Sequence, residues 1–296
     1  MTNNENCKIC NSSQLKIIYH VAICKNCNVL LSYPYPESDE EIFYQKKYSK
    51  DNIATSSVKD ETQRKQEEYY LNSGELNLKN FNQMIKYAVK KKRKSDKINV
   101  LDFGGGGGQF ASIFKNLYPH SKVYITDMFE DKLLDIYKNL NIQIKYENFT
   151  EDQEKFDFIF LNDVFEHLSD PIANLVLLKK KLKDENSKIF IDTPKSFWLY
   201  SFVSLINSKI YKKLLEGTVD QDHQQIWSKK SFYIAVTKAG LKVENYNQIT
   251  EFTQPPQYYL KNMKIKNIFI KIVGHIFYFF APICAQNKII STLKKS

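Results

Sequence analysis

Five consecutive glycines, Gly104 to Gly108, stand between a short apolar run and a stretch with helical spacing. No other feature of the chain constrains its fold as strongly. The segment 98–103 (INVLDF) reads as a buried strand, and apolar residues at helical spacing continue to Tyr118. A glycine turn leaving a strand and opening a helix lets a ligand approach bare backbone. Asp102 precedes the first glycine by two residues, so the pattern is Asp-x-Gly-x-Gly-x-Gly rather than a pyrophosphate fingerprint. An acid there is a poor neighbour for phosphate and a good one for an ammonium or sulfonium cation. The next strand, 123–127 (VYITD), ends in Asp127. An acid about 20 residues beyond such a loop is placed to accept hydrogen bonds from ribose hydroxyls. Glycines alone would also suit a flexible loop; strand, acid, glycines, helix, strand and acid together argue against that.

Strand and helix signals continue to alternate downstream. Strands are expected over 142–147, 157–163, 188–193, 241–249 and 288–293, and helices over 130–139, 171–183 and 228–239, the last ended by Gly240. Short β-branched runs alternating with helices predict an α/β fold: a Rossmann-like parallel sheet with helices on both faces. Residues 61–94 are charged and read as helical, ending in a basic run over 90–94 (KKKRK) that suits a helix C-terminus.

Four of the five cysteines lie in the first 27 residues, as Cys7-x-x-Cys10 and Cys24-x-x-Cys27. The opening ten residues lack the charged-then-apolar pattern of a secretory signal, so metal or redox chemistry is expected rather than a disulfide framework. Two such turns can place four thiolates tetrahedrally around Zn²⁺ at about 2.3 Å, in a closed, structural site. A redox pair is the alternative. Cys284 stands in an apolar stretch and reads as packed core.

The net charge of +10 admits an anionic partner, but a lysine-rich composition spread over the surface accounts for it equally well. The segment 268–285 is mostly apolar yet carries Lys271, Gly274, His275 and Pro282. It reads as a buried or lid helix rather than a span, with interfacial contact as the minor alternative.

The glycine segment with its two acids resembles the first motif of the class I S-adenosylmethionine methyltransferases, and the stretch 156–171, ending DVFEHLSDP, resembles their fourth. The resemblance implies S-adenosylmethionine as cofactor. Asp102, Gly104, Gly106 and Gly108 would face its methionine part, Asp127 and Met128 its ribose, and Asn148 and Phe149 its adenine. Asn162 and Asp163 would line the methyl-transfer end. The cysteine module, with LLSYPYPESDEEIFYQKKYS after it, resembles the N-terminal zinc ribbon of a subset that includes sugar C-methyltransferases. It implies structural Zn²⁺ on Cys7, Cys10, Cys24 and Cys27.

Acid–base candidates are His223, beside Asp222, and His167, beside Glu166. A structural cap on the following helix is an alternative role for His167. The expected division is a zinc ribbon over 1–36, a helical linker or cap over 37–97 and a methyltransferase domain over 98–296. The expected reaction is methyl transfer to a small-molecule acceptor, a sugar nucleotide or surface-polysaccharide precursor, in the cytoplasm. Nucleic acid and membrane are not expected partners. The competing readings are an RNA methyltransferase that docks through its ribbon and a non-catalytic scaffold that only binds the cofactor.

Overall fold

The structure is a computed structural model that describes residues 6–35, 80–81, 83–89, 95–106, 108–127, 142–144, 153–196, 223–250, 272, 276 and 286–296. Expectations for Met128, the helix over 130–139, Asn148, Phe149, Asp222, Cys284 and the basic run fall outside these residues. Of the apolar segment 268–285, only Ile272 and Ile276 are described; both are helical and about half exposed, 53% each. Among the described residues no helix is long and apolar enough to cross a membrane.

The chain divides into two units. One comprises Met1–Ser38, Lys91–Gln248 and Asn287–Ser296; the other comprises Asp39–Lys90 and Ile249–Gln286. In the second unit the described helical residues are Ile272, Ile276 and those lying between 80 and 88; Met84, Ile85 and Val89 are buried.

The first unit is built on a seven-stranded sheet. In chain order its strands are β4 (Asn99–Phe103), β5 (Lys122–Thr126), β6 (Gln143–Ile144), β7 (Phe158–Asn162), β8 (Lys188–Pro194), β10 (Leu241–Ile249) and β11 (Lys288–Lys295). In space they run β10-β11-β8-β7-β4-β5-β6. Strands β4, β5, β6, β7 and β8 pair in parallel, and the near-continuous apolar runs of β4, β5, β7 and β8 fit burial on both faces. Strand β11 departs from the all-parallel expectation by pairing antiparallel with β8, from Lys288 opposite Pro194 to Leu293 opposite Ile189. Alternation of strand and helix signals cannot show this reversal, because a strand's own sequence does not encode its direction.

From β4 the chain moves to β5 on one side, whereas β7 lies on the other. The order therefore reverses between β4 and β7, and a crevice opens at their C-terminal ends, where open α/β sheets bind ligands. Helix α1 (Gln109–Leu117) crosses from β4 towards β5 and buries Phe110, Ala111 and Phe114. Phe110 packs on Phe160 of β7 at 4.6 Å between centroids, and Phe160 stacks on Phe190 of β8 at 4.9 Å. Helix α2 (Pro171–Lys181) starts at Asp170, whose carboxylate accepts the Ala173 N–H at 2.9 Å, with proline in its first turn. That cap assigns the helix start to Asp170 and removes the structural role considered for His167. Helix α3 (Lys229–Lys238) opens with a reciprocal capping box between Ser228 and Ser231.

The same unit contains a second sheet. Strands β1 (Leu15–Ile18), β2 (Val21–Cys24) and β3 (Leu30–Ser32) form an antiparallel meander. Strand β9 (Gln225–Ile226), from far along the chain, pairs antiparallel with β3. Next to it Trp227 is fully buried and stacks on Phe165 at 4.4 Å, with their planes within 9°.

Candidate active site

The glycine loop closes over its own strands. The Gly104 and Gly105 N–H groups both donate to the Thr126 carbonyl, at 2.7 and 3.3 Å. Gly105 has no room for a side chain: a Cβ there would lie 2.7 Å from Asp102 Oδ2 and 2.8 Å from Ile125 Cγ2. Gly106 sits at φ +49°, and its N–H donates to Asp127 Oδ2 at 2.7 Å, so the second acid is tied directly to the loop. Gly108 precedes α1 at φ 72° with no side-chain cap, leaving the helix start as bare backbone facing the crevice end of β4.

Asp102 is 1% exposed, and its Oδ2 has no hydrogen-bond partner among the described residues. Burial raises its pKa to about 7, opposed by the Ala111 N–H, added to by the Asp127 charge and opposed more weakly by the Asn162 side chain beside it. Asn162 ends the neighbouring β7, and both polar atoms of its side chain are buried without a full hydrogen bond among the described residues. The structure thus places Asp102, Gly104, Gly106, Gly108, Asp127 and Asn162 around one loop. Uncompensated buried polar atoms are costly, and a polar, cationic ligand is what such a set fits.

Asp163 follows at φ 51° and donates its N–H to the Asp192 carbonyl at 3.0 Å. Its carboxylate meets Lys288 Nζ at 2.9 Å, and the same ammonium meets Asp192 Oδ2 at 3.0 Å. Sequence reasoning missed Lys288. Its one signal was a lysine placed directly before the apolar pair Ile289 and Ile290 at the start of a strand.

Past Asp163 the chain turns through Glu166 and His167. Glu166 is fully buried; its Oε2 accepts the Thr193 hydroxyl at 2.9 Å, and its pKa lies well above the usual carboxylate range, first through burial and then through the Asp163 charge. His167 and His223 come together with ring centroids 4.9 Å apart, although 56 residues separate them in sequence. Gln225, also missed, fixes this meeting. Its side-chain amide donates to the carbonyls of Phe165 and Leu168, both at 2.8 Å, and its backbone N–H donates to the Glu166 carbonyl at 3.2 Å.

The four N-terminal cysteines converge. Their Sγ atoms all lie within 4.8 Å of one another, with Cys7 and Cys27 at 3.7 Å and Cys10 and Cys24 at 3.5 Å. Four thiolates about 2.3 Å from a tetrahedral centre would stand about 3.8 Å apart, so the sulfur set fits Zn²⁺. Each Cys-x-x-Cys turn is followed by an asparagine with positive φ, Asn11 at 62° and Asn28 at 59°, whose N–H returns to the carbonyl of the first cysteine of its turn. Cys27 holds the Cys7 thiol at a pKa of about 5 by hydrogen bonding, against the opposing effect of burial. The cluster is joined to α3: Ser228 Oγ donates to the Cys27 carbonyl at 2.6 Å.

A Rossmann-like sheet with a glycine loop at its switch point and an acid on each of the two strands beside it defines a nucleoside-cofactor enzyme. The particular family follows from a family model described as a methyltransferase domain, which matches residues 75–246. The chain belongs to this methyltransferase family and is a methyltransferase enzyme. Solved structures agree on the fold. Magnesium protoporphyrin IX methyltransferase from Synechocystis, with bound SAH, is 10% identical over 87% of this chain and 95% of its own, with a TM-score of 0.50. Coclaurine N-methyltransferase, bound to N-methylheliamine and SAH, is 15% identical over 72% and 71%, with a TM-score of 0.50. A mycolic acid cyclopropane synthase complexed with SAH and CTAB is 13% identical over 71% and 82%, also with a TM-score of 0.50. No curated protein matches the sequence.

Proposed function

We propose that the chain transfers the methyl group of S-adenosylmethionine to a small-molecule acceptor, a sugar nucleotide or related surface-polysaccharide precursor. The observation that carries the cofactor reading is the pair of buried polar groups, Asp102 Oδ2 and the Asn162 amide, that flank the glycine loop at the switch point without a full hydrogen bond among the described residues. The solved structures bound to SAH support it by their shared fold.

When bound, the cofactor supplies an activated methyl group on a sulfonium. The chain's own residues bind and orient it. Asp102, with the backbone of Gly104, Gly106 and Gly108, takes the methionine part, where the ammonium compensates the buried carboxylate. Asp127 and Met128 take the ribose hydroxyls, Asn148 and Phe149 the adenine, and Asn162 and Asp163 the end where the methyl leaves. Proximity and in-line approach supply most of the acceleration for so activated a donor. The acceptor is deprotonated at the His167–His223 pair, with Asp222 beside it. Structural Zn²⁺ on Cys7, Cys10, Cys24 and Cys27 holds the amino-terminal sheet. The polysaccharide setting and the cytoplasmic location follow from the resemblance to the sugar-modifying subset.

Isothermal titration with S-adenosylmethionine and its demethylated product tests the cofactor; saturable binding, weakened but measurable in Asp102→Asn, is expected, and no binding by the parent protein ends the reading. A methyl-transfer assay across nucleotide sugars, with RNA as a comparison substrate, tests the acceptor. Turnover confined to RNA overturns the sugar assignment.

A further inference from the structure

The crevice edge holds a second set of donors that cofactor binding does not use. Glu166, His167 and His223 each offer one ligand atom, a carboxylate oxygen or an imidazole nitrogen, and these atoms all lie within 4.8 Å of one another. We propose that these three residues hold a divalent first-row metal ion, separate from the ion of the cysteine cluster.

The first support is the state of Glu166. Its side chain is fully buried, and while Oε2 is occupied by the Thr193 hydroxyl, Oε1 has no hydrogen-bond partner among the described residues. Oε1 is the oxygen that faces His167, 3.9 Å from Nε2. A buried oxygen facing one imidazole, with a second within reach, is what a cation compensates and a hydrogen-bonded core residue lacks.

The second is the frame. Metal sites depend on neighbours that fix their ligands, and such neighbours are present here. Thr193 orients the carboxylate. Gln225 brackets the Glu166–His167 pair through the Phe165 and Leu168 carbonyls, and the His167 N–H donates to the Val164 carbonyl at 2.9 Å. The imidazole rings, 4.9 Å apart and tilted by 35°, can turn towards a common centre. Ligands at about 2.1 Å from a metal stand about 3.4 Å apart in a tetrahedron, so the set closes by roughly an ångström through side-chain rotation.

The third is charge. Asp163, Asp192 and Glu166 gather here, and Lys288 is the cation paired with the first two. The Asp163 charge also reaches Glu166, so a cation held there would be favoured by both carboxyl groups.

Two imidazoles and a carboxylate suit Zn²⁺, Fe²⁺, Mn²⁺ or Ni²⁺, and three protein ligands leave coordination positions open. Resting on the methyl-transfer reading, those positions suit an acceptor that presents a hydroxyl oxygen, or a carbonyl oxygen beside the carbon to be methylated; the cation raises the acidity of the hydroxyl or of the α C–H, and with the ion in place His167 and His223 act on the acceptor as its ligands rather than as free bases. The binding of the ion itself does not depend on that reading.

Cobalt(II) titration of the purified full-length, metal-stripped chain tests the proposal. The cysteine cluster gives intense sulfur-to-cobalt charge transfer, whereas the Glu–His–His site gives only weak visible bands. Two binding steps are expected, one of each kind, matched by about two ions per chain in elemental analysis after zinc loading. His223→Gln and Glu166→Gln should abolish the weak-band step and retain the charge-transfer step, which also reports that each variant is folded. Thr193→Val, a milder change, should weaken the second step by about tenfold. A parent protein that saturates with charge transfer alone, or a His223→Gln variant that still shows both steps, overturns the proposal. Parallel titration with S-adenosylmethionine separates this outcome from failure of the methyl-transfer reading, because cofactor binding uses Asp102 and Asp127 rather than these ligands.

Discussion

The glycine loop and the cysteine cluster are both turn-rich, both depend on residues with positive φ, and they satisfy their polar groups in opposite ways. In the cysteine cluster the sulfurs face one another at 3.5 and 3.7 Å, and the turn carbonyls accept N–H groups from Asn11 and Asn28. At the glycine loop, a carboxylate oxygen of Asp102 and the neighbouring Asn162 amide are buried without a full hydrogen bond among the described residues. A site whose groups converge on one another and whose turns are hydrogen-bonded serves the fold. One that leaves buried polar groups open has given up stability that a ligand can restore.

The contrast can be broken most decisively at the cysteines. Cys27→Ser should abolish the proposed zinc binding and, with structural zinc in such modules worth about 10–16 kcal/mol in apparent binding, unfold the amino-terminal sheet. Elemental analysis and a thermal melt check this; an unchanged melt would show that the cluster is not structural. At the loop, Gly105→Ala should act on binding instead. Its Cβ would press on Asp102 Oδ2 and Ile125, and affinity for S-adenosylmethionine should fall by about a hundredfold, roughly 2.7 kcal/mol, by calorimetry. A variant that melts earlier but binds normally would erase the distinction between the two regions.

Gln225→Leu tests a residue that ties the two together. It should cost about 1–3 kcal/mol by leaving the Phe165 and Leu168 carbonyls without their donor, read by urea unfolding. Asp102 gives a pH signature. A folded-state pKa of about 7 against an ordinary 3.8 means the folded chain holds its proton more tightly, so this group's contribution to stability declines as pH rises between those values. Affinity for the cationic cofactor should move the other way, climbing by up to about tenfold per pH unit and levelling above pH 7, and Asp102→Asn should flatten that climb. The smallest effect is expected at the capping box, where Ser228→Ala should lose about 1 kcal/mol in the same unfolding experiment.

What could be read from sequence was what local chemistry encodes. Asp102, the glycines and Asp127 lie within 26 residues, and their roles follow from short-range strand and turn signals. Cys-x-x-Cys pairs likewise carry their geometry in their spacing. Lys288 was invisible because its partners Asp163 and Asp192 are 125 and 96 residues away. Strand β9, two residues long, is below the length at which alternation means anything, and it exists because β3 offers an edge. Gln225 was missed for the same reason, since its value lies entirely in the loop it grips. His167 was readable as a cap or as a working group. The structure decides that choice only through Asp170, which takes the cap.

The pairing of β3 with β9 has a practical consequence. Residues 30–31 stand directly against 225–226, and His223 lies two positions before that contact. Trimming the amino end to isolate a minimal catalytic piece would therefore leave a naked strand edge at the rim of the crevice and slacken the histidine it steadies. The first thirty-odd residues are better regarded as one jaw of the enzyme than as an appendage.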